Sequence, residues 1–500
     1  MIITDSSKLE LYSAKNRIWQ GIPSIEVTKK GRIFSTFYSG GSDEECGNFV
    51  MVLLSDDGIN FSEPVAAAYK DGHRCFDPCI WIDPSDRLWL FWTVSPGNML
   101  YASICENPDG DELIWSKEFI IAEGIMLNKP IVLSSGEWLF PISVWGERVW
   151  SWMPERRPCG QELGAFVYQS CDNGKTFQKL GKLIHPDHAY DEHMLLELQD
   201  KRIMMLTRTM SGIGISYSYN RGKTWSPPAD SGIKGPCSRF HIKRLKSGRI
   251  LLINHYDYKY RDNLYALISD DECKTWKYKL LLDERSEVSY PDAVEADDGF
   301  IYITYDRERG AGSKSLDAAY SKAREILYAK VTEDDILCGE LKNPDSRLKC
   351  IISKLGTYDG KPYDFIDRPR FYEYDSYFGD CSTEEMLKRL FKMEFGSHEP
   401  DLSESDHELF ESLMTALDKA ENRKEIIHKI IVLIKNAKRR PPVPVDEMVR
   451  KVVTDDLSKE HTVESIAKEL KLSKTYLGKR FFDVTGISVE EYIDVLKKYN

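Results

Sequence analysis

The stretch "SCDNGKTF", Ser170 to Phe177, sets serine, aspartate, glycine and threonine at alternating positions and closes on an aromatic ring. Each residue suits a tight turn: the aspartate bonds turn amides, the glycine permits positive φ, and the ring anchors the turn between strands. "SYNRGKTW" (Ser218 to Trp225) and "SDDECKTW" (Ser269 to Trp276) keep the pattern, with Asn220 for the aspartate in one and Cys273 for the glycine in the other. A weaker copy, "LSDDGINF", has Leu54 at the serine position. Four turns of one kind predict a repeated β unit.

Between these turns lies a second repeat, in which two apolar runs flank a short polar turn. "IPSIEVTKKGRIFSTFYSG", "DPCIWIDPSDRLWLFWTV", "KPIVLSSGEWLFPISVW", "DEHMLLELQDKRIMMLTRT", "FHIKRLKSGRILLINHY" and "DAVEADDGFIYITYDR" have turns centred near residues 30, 85, 135, 200, 247 and 298. The spacing between centres matches the roughly 40 to 50 residues of a four-stranded propeller blade. Six hairpins predict an all-β six-bladed β-propeller over residues 1–340. In an antiparallel hairpin paired residue numbers sum to a constant, so Glu192 should face Arg208, Tyr290 should face Asp306, and His255 should face Arg239. Arg261 opens the strand leading into the third box. Polar residues therefore gather at strand ends.

Composition narrows the function classes. With 42% hydrophobic and 30% charged residues the chain is globular in character, and it is long enough, at 500 residues, for more than one unit. No apolar run approaches the roughly 20 residues of a membrane helix, and the N-terminus lacks a secretory pattern, so a cytoplasmic protein without membrane attachment is expected. Eleven scattered cysteines, without CxxC pairs, read as reduced thiols. The histidines lack a tight pair, and neither metal nor cofactor is expected. A net charge of -12 excludes broad electrostatic attraction to nucleic acid, though not a small basic module.

The boxes and their blade spacing resemble the Asp-box (BNR) repeats of the sialidase, or neuraminidase, superfamily over residues 15–340. That resemblance implies an exo-glycosidase acting on a terminal acidic sugar of a glycan. It also implies an arginine triad for the substrate carboxylate, a tyrosine nucleophile with a glutamate base, and a carboxylic acid/base. A neutral phenol suits an anionic sugar because it approaches the anomeric carbon without charge repulsion. By resemblance Tyr290 is the nucleophile, Glu192 its base, and Arg208 and Arg261 two triad members. Glu44, chosen from Asp43, Glu44 and Glu45, is the acid, and Asp306 either orients an arginine or serves as an alternative base. Arg239, His255, His193 and Asp77 complete the expected substrate-binding set. One departure stands out: "WQGIPS" places Gly21 where sialidases carry the first arginine. Trp145, Trp150 and Trp152 fall in a loop where rings either stack on a sugar or pack.

Past residue 340 the strand rhythm stops. Residues 341–440 read as a connector and helical segment, and "PPVPV" breaks the chain before a helical unit at 441–500. There Ala467, Leu472-Ser473, Leu477, Phe481 and Gly486 resemble the first helix-turn-helix of AraC-type regulators, with Ser473 capping the second helix. The resemblance implies DNA contacts through Lys474, Thr475, Lys479 and Arg480. Ten Lys/Arg against eleven Asp/Glu from 446 to 500 make any basic face local. Two other functions stay open: a sugar-sensing regulator with a non-catalytic propeller, and a uronate lyase using Tyr290 with His193 or His255. Oligomeric state is not legible.

Overall fold

In a computed structural model, residues 1–355 are described apart from 18, 41–43, 45, 146–161, 210–211, 234, 256–260 and 310–323, together with parts of 400–439 and with 445–499. Six antiparallel sheets follow one another along the chain, and each of the six expected hairpins forms the two inner strands of one blade. The inner strands are Trp19–Val27, Arg74–Ile82, Ile131–Val132, His188–Glu197, His241–Arg244 and Val288–Glu295. An N-terminal strand, Ile2–Ile3, adds to the outside of blade one. The sixth sheet takes its outer strand from Arg347–Lys354, beyond residue 340.

Large side chains fill the space between neighbouring sheets. Between blades two and three, Trp81, Trp89, Phe91, Trp138 and Phe140 form one buried cluster. Blades one and six exchange no strand. Their seam is closed by Gln20, whose amide donates to the Arg309 carbonyl at 3.0 Å and whose side chain donates to the carbonyls of Arg324 and Ser353.

The boxes form the turns that their residues require. Asp172 accepts from the Lys175 and Thr176 amides at 3.0 and 2.9 Å, and Ser170 accepts from the Gly174 amide. Cys273 adopts φ 66°, the conformation glycine supplies in the other copies. In the weak copy Ser55 and Asp57 take the serine and aspartate roles, one residue later than the alignment on Leu54 expects.

At the C-terminus, helices Val445–Asp455, Val463–Glu469, Lys474–Thr485 and Val489–Tyr499 share one apolar core. Thr462 and Ser473 cap the second and third. This unit sits on the blade-four box. Tyr219 packs edge-on against Tyr492, with centroids 5.1 Å apart, and its hydroxyl donates to Asp446 at 2.7 Å. The Asn220 amide donates to Glu491 at 2.7 Å, which explains the departure from aspartate: a second carboxylate there would repel the first. No helix among the described residues is long and apolar enough to cross a membrane.

Candidate active site

Four inner strands carry the same irregularity near their starts. The register shifts between Gly21 and Ser24, Phe76 and Cys79, His188 and His193, and Ser289 and Asp292. In each bulge one residue adopts positive φ: Ile22, Asp77, Asp191 and Tyr290. Proline follows three of them, at Pro23, Pro78 and Pro291, where a missing N–H makes a bulge the natural place for it. Asp77 and Tyr290 therefore hold equivalent positions in blades two and six. The bulge also corrects the hairpin arithmetic, because Asp306 pairs with Ser289 and Tyr290 is left unpaired in the bulge.

Freed from the ladder, Tyr290 meets the blade-four pair. Its hydroxyl donates to Glu192 Oε1 at 3.0 Å and accepts from Arg208 Nη1 at 2.7 Å, while Arg208 Nη1 lies 2.9 Å from Glu192 Oε1. All three side chains are buried. Burial raises the Tyr290 phenol above its usual value and Glu192 adds to this, while Arg208, Arg309 and Arg261 oppose it. Ionising that phenol therefore needs a base at its oxygen, and Glu192 is there. Glu192 Oε2 is buried without a hydrogen-bond partner, so acceptor capacity remains.

Three guanidiniums surround the tyrosine ring, those of Arg309, Arg261 and Arg208 at 4.1, 5.5 and 5.9 Å from its centroid. Arg261 and Arg208 match the expectation of cations at this end of the blades; Arg309 was missed. Arg309 Nε donates to Asp306 at 2.8 Å, Nη2 donates to Ser289 Oγ at 3.0 Å, and Nη1 lies 3.5 Å from Glu44. Its stem fills the space in front of Gly21: a Cβ there would lie 2.7 Å from Arg309 Cδ and 2.9 Å from Cγ. The space in front of Gly21 is thus occupied by an arginine that follows the inner hairpin of blade six. Asp306 is buried and accepts from Ile22 N, Ser289 Oγ and Arg309, so it orients an arginine.

The two carboxyls of blades one and two differ in state. Burial works to raise Glu44, but Arg74, 2.9 Å away, and Arg309 overcome it and hold the carboxyl below its usual range. Glu44 is thereby held toward its ionised form, which does not favour the proton-donor role expected of it. Asp43 and Glu45 lie outside the described residues. Asp77 is pushed up to about 7 by burial, with Glu192 and Glu44 adding to the shift against Arg74 and Arg239. It is the carboxyl suited to donate a proton near neutral pH.

Three expected substrate-binding residues are spent elsewhere. Arg239 is fully buried and donates to Asn128 Oδ1, Leu127 O and Pro23 O, tying three blades together beneath the site. His255 bonds the Val288 carbonyl at 2.7 Å, and strand His241–Arg244 begins after Arg239, so the two do not pair. His193 bridges the Asp191 and Phe166 carbonyls. Strand-end arithmetic does not separate side chains facing a site from those closing a channel. Trp145 is buried against Tyr190 and Phe76, so it packs, and Trp150 and Trp152 lie outside the described residues. Among the described residues no group of three or more His, Cys, Asp or Glu is placed to hold a metal.

In the C-terminal unit Lys474, Thr475 and Lys479 are exposed and Arg480 is half-buried. Lys474 pairs with Glu464 at 3.2 Å.

Comparison with known proteins agrees with the architecture. Residues 31–303 match the BNR repeat-like domain. The leech intramolecular trans-sialidase, in complex with 2,7-anhydro-Neu5Ac, superposes with a TM-score of 0.51 at 15% identity, covering 66% of this chain and 70% of that one. The NanB sialidase of Streptococcus pneumoniae gives 0.50 at 14% identity, with 65% and 70% covered. For the Hadza microbial sialidase Hz136 the values are 0.46 and 16%, and the match spans 59% of this chain and 64% of that one. A search of curated protein sequences finds no match.

Proposed function

The chain belongs to the BNR repeat-like domain family, and from that premise we propose that it is a sialidase-like exo-glycosidase acting on a terminal acidic sugar. One observation carries the reading: a buried tyrosine hydroxyl bonded to both a carboxylate and a guanidinium, with two further guanidiniums at its ring. In this mechanism Glu192 takes the phenolic proton as Tyr290 attacks the anomeric carbon, and Asp77 protonates the departing glycosidic oxygen. Asp77 then accepts a proton from the water that releases the sugar from Tyr290, while Glu192 returns its proton to the departing phenolate oxygen. Arg208, Arg261 and Arg309 bind the substrate's anionic group. The assignment of the acid to Asp77 rather than Glu44 follows from their opposite shifts. A fluorogenic sialoside assay on wild type, Tyr290→Phe, Glu192→Gln and Asp77→Asn tests the scheme. Turnover should fall in all three variants; equal turnover throughout would refute it.

A second reading is a sugar-responsive regulator whose propeller binds without turnover. It is favoured by the seat of the helical unit on blade four, the blade that supplies Glu192 and Arg208. In this reading Lys474, Thr475, Lys479 and Arg480 form an AraC-like DNA surface. Sugar-dependent retention of DNA with no released product would support it, and absence of DNA binding at low salt would count against it. The lyase reading is weakened because His193 and His255 are both bonded to backbone carbonyls.

A further inference from the structure

The inner strands that bear Gly21, Asp77, Glu192 and Tyr290 at their starts end on the other face of the ring around a cavity of about 450 Å³. Between Tyr290 and Val294 the strand advances roughly 13 Å, so the cavity and the candidate active site lie at opposite ends of the ring's central axis. All six blades line the cavity. Its volume lies within the roughly 300 to 1,000 Å³ typical of small-molecule sites, and its walls mix Trp81, Ile82, Ile131, Ile242 and Val294 with charge.

The charges balance in number but not in partners. At the floor Lys129 bonds Glu26 at 2.6 Å and lies 3.3 Å from Asp292. Arg239 also approaches Asp292, at 3.7 Å. On the rim Lys29 pairs with Asp86, Glu197 with Arg221, Arg244 with Glu272 and Asp297 with Lys246, while Glu295 accepts the Lys246 amide. The Lys243 ammonium makes no hydrogen bond or ion pair among the described residues; burial lowers it below the usual value and Lys129 adds to this, against Glu26, Glu295 and Asp292. Glu26, Asp292 and Glu295 thus face Lys129, Arg239 and Lys243, and of these three cations the half-buried Lys243 is the one whose charge no carboxylate contacts among the described residues. His241, 2% exposed, has Nδ1 facing Asp292 at 3.1 Å, and both ring nitrogens are buried without a hydrogen bond. With its pKa pushed down to about 4 by burial, the ring is neutral. A proton on Nδ1, toward the carboxylate, makes Nε2 an acceptor.

We propose that this cavity is a second binding site, for a small hydroxylated carboxylate whose carboxylate rests on Lys243 and whose hydroxyl donates to His241 Nε2. An ammonium that no carboxylate contacts, an imidazole acceptor and apolar walls fit that chemistry.

The test is titration calorimetry with D-glucuronate, D-gluconate and neutral glucose on the full chain carrying Arg208→Ala, which disables the opposite face. Saturable binding of the two acids but not of glucose is expected, weakened about tenfold or more by Lys243→Met. Lys243→Arg should retain it. Because Lys243 holds nothing in place, the melting temperature of Lys243→Met should equal or exceed that of the parent. A folded Lys243→Met protein that binds the acids as tightly as its parent would overturn the proposal, and so would the absence of acid binding or equal binding of glucose. Binding lost in Arg208→Ala but kept in Lys243→Met would place the anion at the candidate active site and overturn it equally.

Discussion

Gly21→Ala adds one methyl group to the candidate site, and the structure sets its effect. The new Cβ would lie 2.7 Å from Arg309 Cδ, against 3.4 Å for ordinary contact, so the Arg309 stem must retreat by about 0.7 Å. Gly21 itself has no positive φ, so the backbone accepts alanine without strain. The guanidinium reaches Asp306 at 2.8 Å and Ser289 at 3.0 Å, and a shift of that size stretches both to the limit of a hydrogen bond. Losing one charge-assisted bond costs about 1.5 to 3 kcal/mol, which is about tenfold to a hundredfold in kcat/KM if Arg309 holds the substrate's anion. Arg309→Ala should lose at least as much, and the double variant Gly21→Ala/Arg309→Ala should be no worse than Arg309→Ala alone, because both act through one side chain. The assay is kcat/KM on the fluorogenic sialoside, paired with calorimetric binding of free N-acetylneuraminate and a melting curve to confirm folding. Wild-type binding and turnover in Gly21→Ala, or losses that add in the double variant, would refute the proposal that Arg309 binds the substrate's anionic group.

Asp77 should set an alkaline limb. Activity should fall as pH rises through about 7, and Asp77→Asn should remove that limb along with most of the rate. The same shift has a stability consequence. A carboxyl whose folded pKa lies above its unfolded value near 4 favours folding below that value and loses the contribution as pH rises through 7, so Asp77→Asn should raise the melting temperature more at pH 8 than at pH 4. Tyr290→Phe removes the hydroxyl that Glu192 and Arg208 share; turnover should drop by several orders of magnitude while the fold, read by circular dichroism, persists. Asn220→Asp sets two carboxylates against each other at Glu491 and should loosen the helical unit by about 1 to 3 kcal/mol, read as faster proteolysis before Val445 with sialoside turnover unchanged.

The blades were legible because turn chemistry and strand alternation are local, and each repeats. Glu192 and Arg208 were legible as a pair because one hairpin brings them together. Tyr290 and Asp306 were displaced by a single residue, since a bulge breaks the register that the arithmetic assumes. The recurrence of proline after Ile22, Asp77 and Tyr290 was a usable signal for those bulges, and it would have set Asp77 at the blade position that Tyr290 occupies in its own blade. Arg309 was not legible: it follows the last inner hairpin and acts at a glycine almost a whole propeller earlier in the chain. Arg239 and His255 misled because a buried polar network closing a channel has the same composition as a binding site.

The seam between blades one and six has a consequence in time. Gln20 and Gly21 are synthesised before most of the ring, and Tyr290 and Arg309 arrive only with its last blade. Until that blade docks, Glu192 and Arg208 face open space and the anion-binding corner has not been assembled. On the proposed glycosidase reading, a nascent chain is therefore silent through most of its synthesis and gains turnover only with the closure of the ring.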